Sequence, residues 1–301
     1  MSLTKVLAPW LGVARAPFLL LPFSLVAAGA AAAAYEGAFL WSRTLLALLG
    51  LVLMHAAVNA LNEASDMLSG IDLRTVPTPF SGGSKTLPSG LLSVRATRIF
   101  AYSCMAIAGL IGVWFALRLE PLFIVLLAAG AISVLFYSPV FARCGVGEVF
   151  AGLGLGVLPV WGAAWVQGPV PGPAALWAGL PAFFMTFNLL LLNEFPDEQA
   201  DRTGGRRNLV LLLGRKGAAL VYAAAGILTP AAIVVAVVLG AFPALALGAT
   251  LPSLLLAKPL AWAFGDTTKP VPIPAMGANV VWNLATNAVL AAALAATLAL
   301  G

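Results

Sequence analysis

Two stretches of this sequence carry side chains that could do chemistry. The first is Asn62-Glu63-Ala64-Ser65-Asp66, with Asp72 six residues on. The second is Asn193-Glu194-Phe195-Pro196-Asp197, with Asp201 one helical turn on. Both begin Asn-Glu-x-x-Asp, and both stand at the foot of a long apolar run. Carboxylates and amides are hard oxygen ligands, which suit Mg²⁺ or Mn²⁺ rather than zinc. Mg²⁺ takes one or two protein carboxylates and fills the rest of its shell with water and substrate phosphate. Two such clusters facing one cavity would hold metal around a diphosphate. Basic residues on the same side would supply the remaining counter-charge, and a diphosphate neutralised in this way is a leaving group.

Helical spacing predicts how these residues are presented. His55, Asn59, Asn62 and Asp66 follow i, i+4, i+7, i+11, which puts them on one stripe of a helix. His55 reads equally as a hydrogen-bonded structural histidine or as a substrate contact beside Asn59 and Asn62. Asp72 lies beyond Gly70, where the chain can turn back. Asn193, Asp197 and Asp201 are each one turn apart, and Pro196 removes a backbone donor between them, which predicts a bend or a restart of the helix.

The elements that must position these groups are membrane spans. The chain has 301 residues, 61% hydrophobic and 9% charged, against about 25% charged in a soluble domain. Long apolar runs without strict alternation exclude a β-barrel and predict an all-α polytopic membrane protein in one transmembrane domain, residues 1–301. Nine spans are expected, at 17–34, 45–61, 99–117, 122–137, 149–166, 174–192, 218–239, 245–264 and 278–300. The first reads as a span rather than a cleaved signal. The net charge of +5 is not a nucleic-acid footprint, because the cations lie in loops between spans. The two cysteines form no disulfide framework or metal motif.

With the N-terminus inside, fourteen of the 16 basic residues fall on the cytoplasmic side of the cytoplasmic membrane, and only Arg43 and Arg118 fall outside. Both acidic motifs then follow even-numbered spans and face the cytoplasm, four spans apart, as expected of two parallel pseudo-repeats. The inside loops are long. Thr75–Leu92 contains Ser81-Gly82-Gly83-Ser84-Lys85, and 201–217 contains Gly204, Gly205, Arg206 and Arg207. Glycine-rich loops can aim backbone N–H groups at an anion. The segment beyond Gly217 is nearly bare of charge and reads as scaffold and lipid contact. A cation-coupled secondary transporter would also use acids near broken helices, but its site belongs near the midplane rather than at cytoplasmic helix ends.

Together the two motifs resemble the paired signatures of the UbiA superfamily of intramembrane prenyltransferases, over about the first 220 residues. Arg15-Ala16-Pro17 is similar to that family's opening Arg-x-Pro. Gly70-Ile71-Asp72, the Pro79–Ser84 stretch, Gly145-Val146-Gly147-Glu148 and Gly205–Leu209 are similar to its menaquinone-type branch. The resemblance implies nine helices around a central cavity and a polyprenyl diphosphate held through Mg²⁺ by both motifs. Asn62, Asp66, Asp72, Asn193, Asp197 and Asp201 would bind metal and diphosphate. Arg15, Lys85, Arg143, Arg206 and Arg207 would contact substrate, and Tyr137 would stand near the reacting carbon. Arg143 is one residue out of the branch's register. The implied reaction is prenyl transfer to an aromatic acceptor, dihydroxynaphthoate in that branch. Hydroxybenzoate, homogentisate, chlorin and lipid acceptors are the alternatives.

Overall fold

The computed structural model describes residues 3–168 and 170–300. Among them every regular element is helical. The principal helices are α1 (Leu3–Val13), α2 (Leu20–Tyr35), α3 (Trp41–Ser69), α4 (Ile71–Arg74), α5 (Val94–Ala116), α6 (Phe123–Leu135), α7 (Ala142–Cys144), α8 (Gly147–Gly152), α9 (Leu158–Trp165), α10 (Pro173–Thr203), α11 (Leu209–Val238), α12 (Ala257–Phe264) and α13 (Ile273–Leu300). Eight of the described stretches are long and apolar enough to cross a bilayer; a ninth is α6 with Tyr137–Cys144, bent by 57°. These coincide with the nine expected spans. Their outer faces carry Leu110, Leu117, Val238 and Leu254, all largely exposed, as an integral membrane protein requires of surface that meets lipid.

The two helices that carry the acidic motifs are longer than hydropathy predicts. Helix α3 has 29 residues and α10 has 31. At 1.5 Å per residue, each exceeds the roughly 30 Å hydrocarbon thickness by about 15 Å. The motifs therefore ride on the last turns of continuous helices instead of on loops after them. Helix α10 runs on through Pro196 as one helix, so of the expected bend or restart the restart does not occur. The Arg215 guanidinium donates to the Phe195 carbonyl at 3.2 Å, so this turn is supported from outside the helix where intrahelical bonding is weakened. The seventh span also begins earlier than expected. The apolar run Leu209–Leu213 is already helical, and the break falls at Gly214, whose φ of +69° interrupts α11.

Small residues let these helices pack closely, the usual solution where lipid removes the hydrophobic drive between them. Ala28, Ala32 and Ala33 of α2 are buried. A Cβ on Gly29 would lie 2.9 Å from the Ala163 Cβ of α9. The last third, read from its charge as scaffold, holds itself together with buried amides. Asn279, Asn283 and Asn287 form an i, i+4, i+8 stripe on α13, each 1% exposed or less. Asn279 accepts from the Tyr222 hydroxyl at 2.9 Å and donates to the Asn188 carbonyl at 3.3 Å. This amide seam ties α13 to α10 and α11, and one amide per turn on an apolar helix is a weak signal when only charge is read.

Candidate active site

Gly70 ends α3 in the left-handed conformation, φ +76°, and this turn swings Asp72 back beside Asp66. The two acidic motifs then meet. Asn62, Asp66, Asp72, Asn193, Asp197 and Asp201 all line one small cavity of about 70 Å³, together with Arg15, Tyr137 and Arg206. Residues over 100 positions apart converge here because α3 and α10 end on the same side of the bundle. Tyr137 opens a π-helical turn, Tyr137–Phe141, at the bend after α6. Such turns redirect side chains at sites, and the next residue, Ser138, donates its hydroxyl at 3.3 Å to the Asn62 amide oxygen, which also accepts from Arg206 at 2.6 Å.

Carboxyls outnumber cations in this cavity. Asp66, Asp72, Glu194, Asp197 and Asp201 face only Arg15 and Arg206. Arg206 donates to both Asp66 oxygens, at 2.6 and 2.7 Å, and stands 3.7 Å from Asp201. Burial alone would lower the Arg206 pKa, but Asp66 and Asp201 hold it above the ordinary arginine value. Burial, reinforced by Glu63 and Asp66, raises Asp72 to about 7. Among the described residues four carboxylate oxygens of this cavity's acids accept no hydrogen bond: Asp72 Oδ2, Glu194 Oε2, Asp197 Oδ1 and Asp201 Oδ1, the last with only the Arg206 guanidinium at 3.7 Å. Buried acceptors without partners are costly, and an all-oxygen set of this kind fits a hard divalent cation. Among the described residues no three acidic, histidine or cysteine side chains close a cation cage by themselves. A cation bound here needs ligand or water oxygens as well.

The glycine-rich loop does direct N–H groups at anions, but the anions are the chain's own acids. Gly82 N–H donates to Asp197 Oδ2 at 3.1 Å, and Ser84 N–H to Glu63 Oε1 at 2.8 Å. The loop therefore clips the two motifs together. Gly82 and Gly83 have φ of +81° and +74°, and a Cβ on Gly82 would come within 2.8 Å of the Val76 carbonyl oxygen. Only glycine fits that approach.

Three cations expected at the diphosphate are placed elsewhere. Lys85 points away: its ammonium donates to the Asp72 carbonyl at 2.6 Å and to the Thr75 carbonyl and hydroxyl at 2.7 Å. Those bonds use all three of its hydrogens to shape the loop. Arg143 and Arg207 are exposed. Arg207 N–H donates to the Ala142 carbonyl at 3.0 Å, so their two segments dock backbone to backbone and turn both side chains outward.

Behind the acidic cavity lies a second one of about 130 Å³. It shares Arg15, Asn62, Tyr137 and Asn193 with the first and adds His55, Asn59 and Thr186. Asn59 spends its amide N–H on the Ala14 carbonyl at 2.9 Å, which fixes the turn at Arg15 against α3. His55 and Gly154 also line a third, apolar cavity of about 660 Å³ between α3, α5, α6 and α9. Polar mouth, small middle chamber and apolar chamber thus form a series of neighbouring cavities. Sequence reasoning missed Thr186 and the loop-holding role of Glu63. Nothing in one sequence separates a hydroxyl that faces a cavity from one that bonds its own helix.

Residues 20–284 match the model of the UbiA prenyltransferase family. The chain is 28% identical over 232 residues to the 1,4-dihydroxy-2-naphthoate octaprenyltransferase of Mycobacterium tuberculosis (strain ATCC 25618 / H37Rv), covering 74% of this chain and 77% of that protein. A UbiA homolog from Archaeoglobus fulgidus bound to GPP and Mg²⁺ superposes with a TM-score of 0.67 at 17% identity, over 95% of this chain and 99% of that one. The same homolog bound to DMAPP and Mg²⁺ gives 0.66 at 17% identity, over 95% and 98%.

Proposed function

The chain belongs to the UbiA prenyltransferase family, and from that premise we propose that it transfers a polyprenyl group from polyprenyl diphosphate to a hydroxylated aromatic acceptor of the dihydroxynaphthoate kind, with diphosphate released on the cytoplasmic face. One observation carries this assignment: both Asn-Glu-x-x-Asp motifs line a single cavity that holds four donorless carboxylate oxygens. The likeness to a naphthoate octaprenyltransferase supports the acceptor class. Structures of a homolog with prenyl diphosphates and Mg²⁺ support the donor and the metal. The Gly70-Ile71-Asp72 and Ser81–Ser84 stretches point the same way.

Asp72, Asp197 and Asp201, with Asn62 and Asn193, would hold Mg²⁺. Bound there, it would neutralise the diphosphate and let the bond to the allylic carbon break. Arg206 and Arg15 face the same space, and their guanidiniums can take phosphate oxygens in bidentate fashion. Arg206 would trade part of its hold on Asp66 for the ligand. Tyr137 lines both the mouth and the middle chamber, and an allylic carbon between them would have the tyrosine ring at hand to stabilise developing positive charge. The apolar chamber takes the prenyl chain and keeps water from the electrophilic carbon. The electron pair of the broken C–O bond leaves with diphosphate. The acceptor ring supplies the pair for the new C–C bond and then loses a proton or carbon dioxide.

The test is transfer of labelled prenyl diphosphate by purified protein to a panel of aromatic and lipid acceptors. Product from a hydroxynaphthoate acceptor, dependent on Mg²⁺, is the expected result. Efficient transfer only to a glycerol-phosphate lipid would replace the acceptor. No transfer to any acceptor, with no binding of the diphosphate, would remove the assignment.

A further inference from the structure

Two residues that line the middle chamber carry polar atoms that the protein leaves without partners. His55 Nε2 and Thr186 Oγ1 have no hydrogen bond, their residues are each 3% exposed, and both residues line the same cavity of about 130 Å³. They come from different helices, α3 and α10, so the coincidence is not local.

Each atom's state has a chemical consequence. His55 Nδ1 lies 3.1 Å from the Leu51 carbonyl. A carbonyl only accepts, so Nδ1 carries the hydrogen, and in the neutral ring Nε2 is an acceptor. A ligand that satisfies it must bring a donor. Thr186, like Thr97 and Thr286, does not bond the carbonyl four residues back, as buried hydroxyls on helices often do, and of these three it alone lines the chamber. In this bundle Thr44, Ser133 and Thr229 make that bond, at 3.1, 2.8 and 3.1 Å. Thr186 keeps its hydroxyl for the cavity, where it can donate or accept.

The chamber's neighbours define what fits. On one side it shares Tyr137, Asn62 and Asn193 with the acidic mouth. On the other it shares His55 and Gly154 with the apolar chamber. A void near 150 Å³ accommodates roughly one aromatic ring, so the chamber fits the hydroxylated ring of a larger acceptor and not the whole of it.

We propose that His55 Nε2 and Thr186 Oγ1 bind the hydroxyl groups of the aromatic acceptor and set which ring carbon faces the allylic carbon of the prenyl donor. This inference rests on the prenyltransferase assignment and goes beyond it by naming the groups that recognise the acceptor. No proton need leave the hydroxyl: it donates a hydrogen bond to Nε2 while the ring carbon forms the new bond. The pair selects hydroxylated rings against rings whose hydroxyls are capped, because a capped oxygen leaves Nε2 buried and unpaired.

The experiment is steady-state transfer with Mg²⁺ by wild type, His55→Leu, His55→Gln, Thr186→Val and Thr186→Ser, each checked for thermal stability in detergent. The acceptors are a dihydroxynaphthoate and its O-methyl ether, and KM is measured separately for acceptor and prenyl diphosphate. His55→Leu and Thr186→Val should each raise the acceptor KM about 10- to 100-fold while leaving the KM for prenyl diphosphate within about twofold. Wild type should reject the ether, and His55→Leu should lose most of that discrimination. Gln and Ser, which restore an acceptor and a hydroxyl, should recover most of the acceptor KM. Equal discrimination in wild type and both deletion variants would overturn the proposal, as would a rise confined to the KM for prenyl diphosphate. Should His55→Leu fail to fold, the near-isosteric Thr186→Val decides the matter through the same two KM values. A wild type that binds prenyl diphosphate with Mg²⁺ but prenylates only acceptors without a hydroxyl would overturn this inference and leave the transferase assignment standing. A wild type that neither binds nor transfers would remove both.

Discussion

The two acidic motifs begin with the same spelling and end in opposite circumstances. In the first, Glu63 is fully engaged: Arg15 Nε donates to it at 3.0 Å, and Ser84 N–H and Oγ at 2.8 Å. Asp66 next door is held by Arg206. In the second, Glu194 faces another carboxyl, Glu148, and Glu194, Asp197 and Asp201 each keep an oxygen without a donor. Glu63 and Asp66 of the first motif are matched by the protein's own donors and hold the loop and the arginine in place, whereas Asp72 beyond them keeps one oxygen without a donor. The second is left short of positive charge. Matching Asn-Glu-x-x-Asp runs thus differ in how much of their charge the protein already matches. Their surroundings decide the role, because a carboxylate binds a new cation in proportion to how little of its charge is already matched.

That contrast can be broken by substitution. The largest effect belongs to the second motif. Asp197→Asn and Asp201→Asn should each lower kcat/KM about 10³-fold in saturating Mg²⁺, the size of several kcal/mol of lost charge stabilisation. The melting temperature without metal should hold or rise, since an uncompensated charge has been removed. A fall in melting temperature comparable to that of a first-motif variant would erase the distinction. Next comes Arg206→Met, which leaves Asp66 buried without its partner. A loss of about 3–5 kcal/mol of stability is expected, read by chemical or thermal unfolding in detergent, together with weaker diphosphate binding. Glu63→Gln should cost about 1.5–3 kcal/mol by loosening Arg15 and Ser84. Limited proteolysis within 75–92 should speed up before the helices unfold. The smallest effects belong to Arg143→Ala and Arg207→Ala, which should shift stability by no more than about 0.5 kcal/mol and leave transfer unchanged.

Much of this division lay beyond the sequence. The nine spans were legible, because apolar run length and loop charge answer directly to the bilayer. The convergence of Asn62, Asp66, Asp72, Asn193, Asp197 and Asp201 was legible as well, since the motifs share a side of the membrane and a spacing of one turn. Unequal neutralisation was hidden, because it depends on which cation reaches which acid. Lys85 and Arg206 look equivalent in sequence, yet one is spent on loop carbonyls and the other on Asp66. The exposure of Arg143 and Arg207 follows from how two backbone segments dock, which no composition records. Thr186 and the Asn279–Asn287 seam were invisible for a related reason. A hydroxyl or amide in an apolar helix acquires its meaning only from the helix opposite.

On the proposed function, the under-compensated acids of the second motif and Asp72 form, with the clamped Asp66 and Arg206, a single cation-dependent diphosphate site. Calorimetric binding of geranyl diphosphate, with Mg²⁺ and with chelator, tests it on wild type and Asp197→Asn. Wild type should bind at least about 100-fold more tightly with Mg²⁺, in keeping with a site short of positive charge, and Asp197→Asn should lose that difference. Equal affinity with and without the cation in wild type would contradict it.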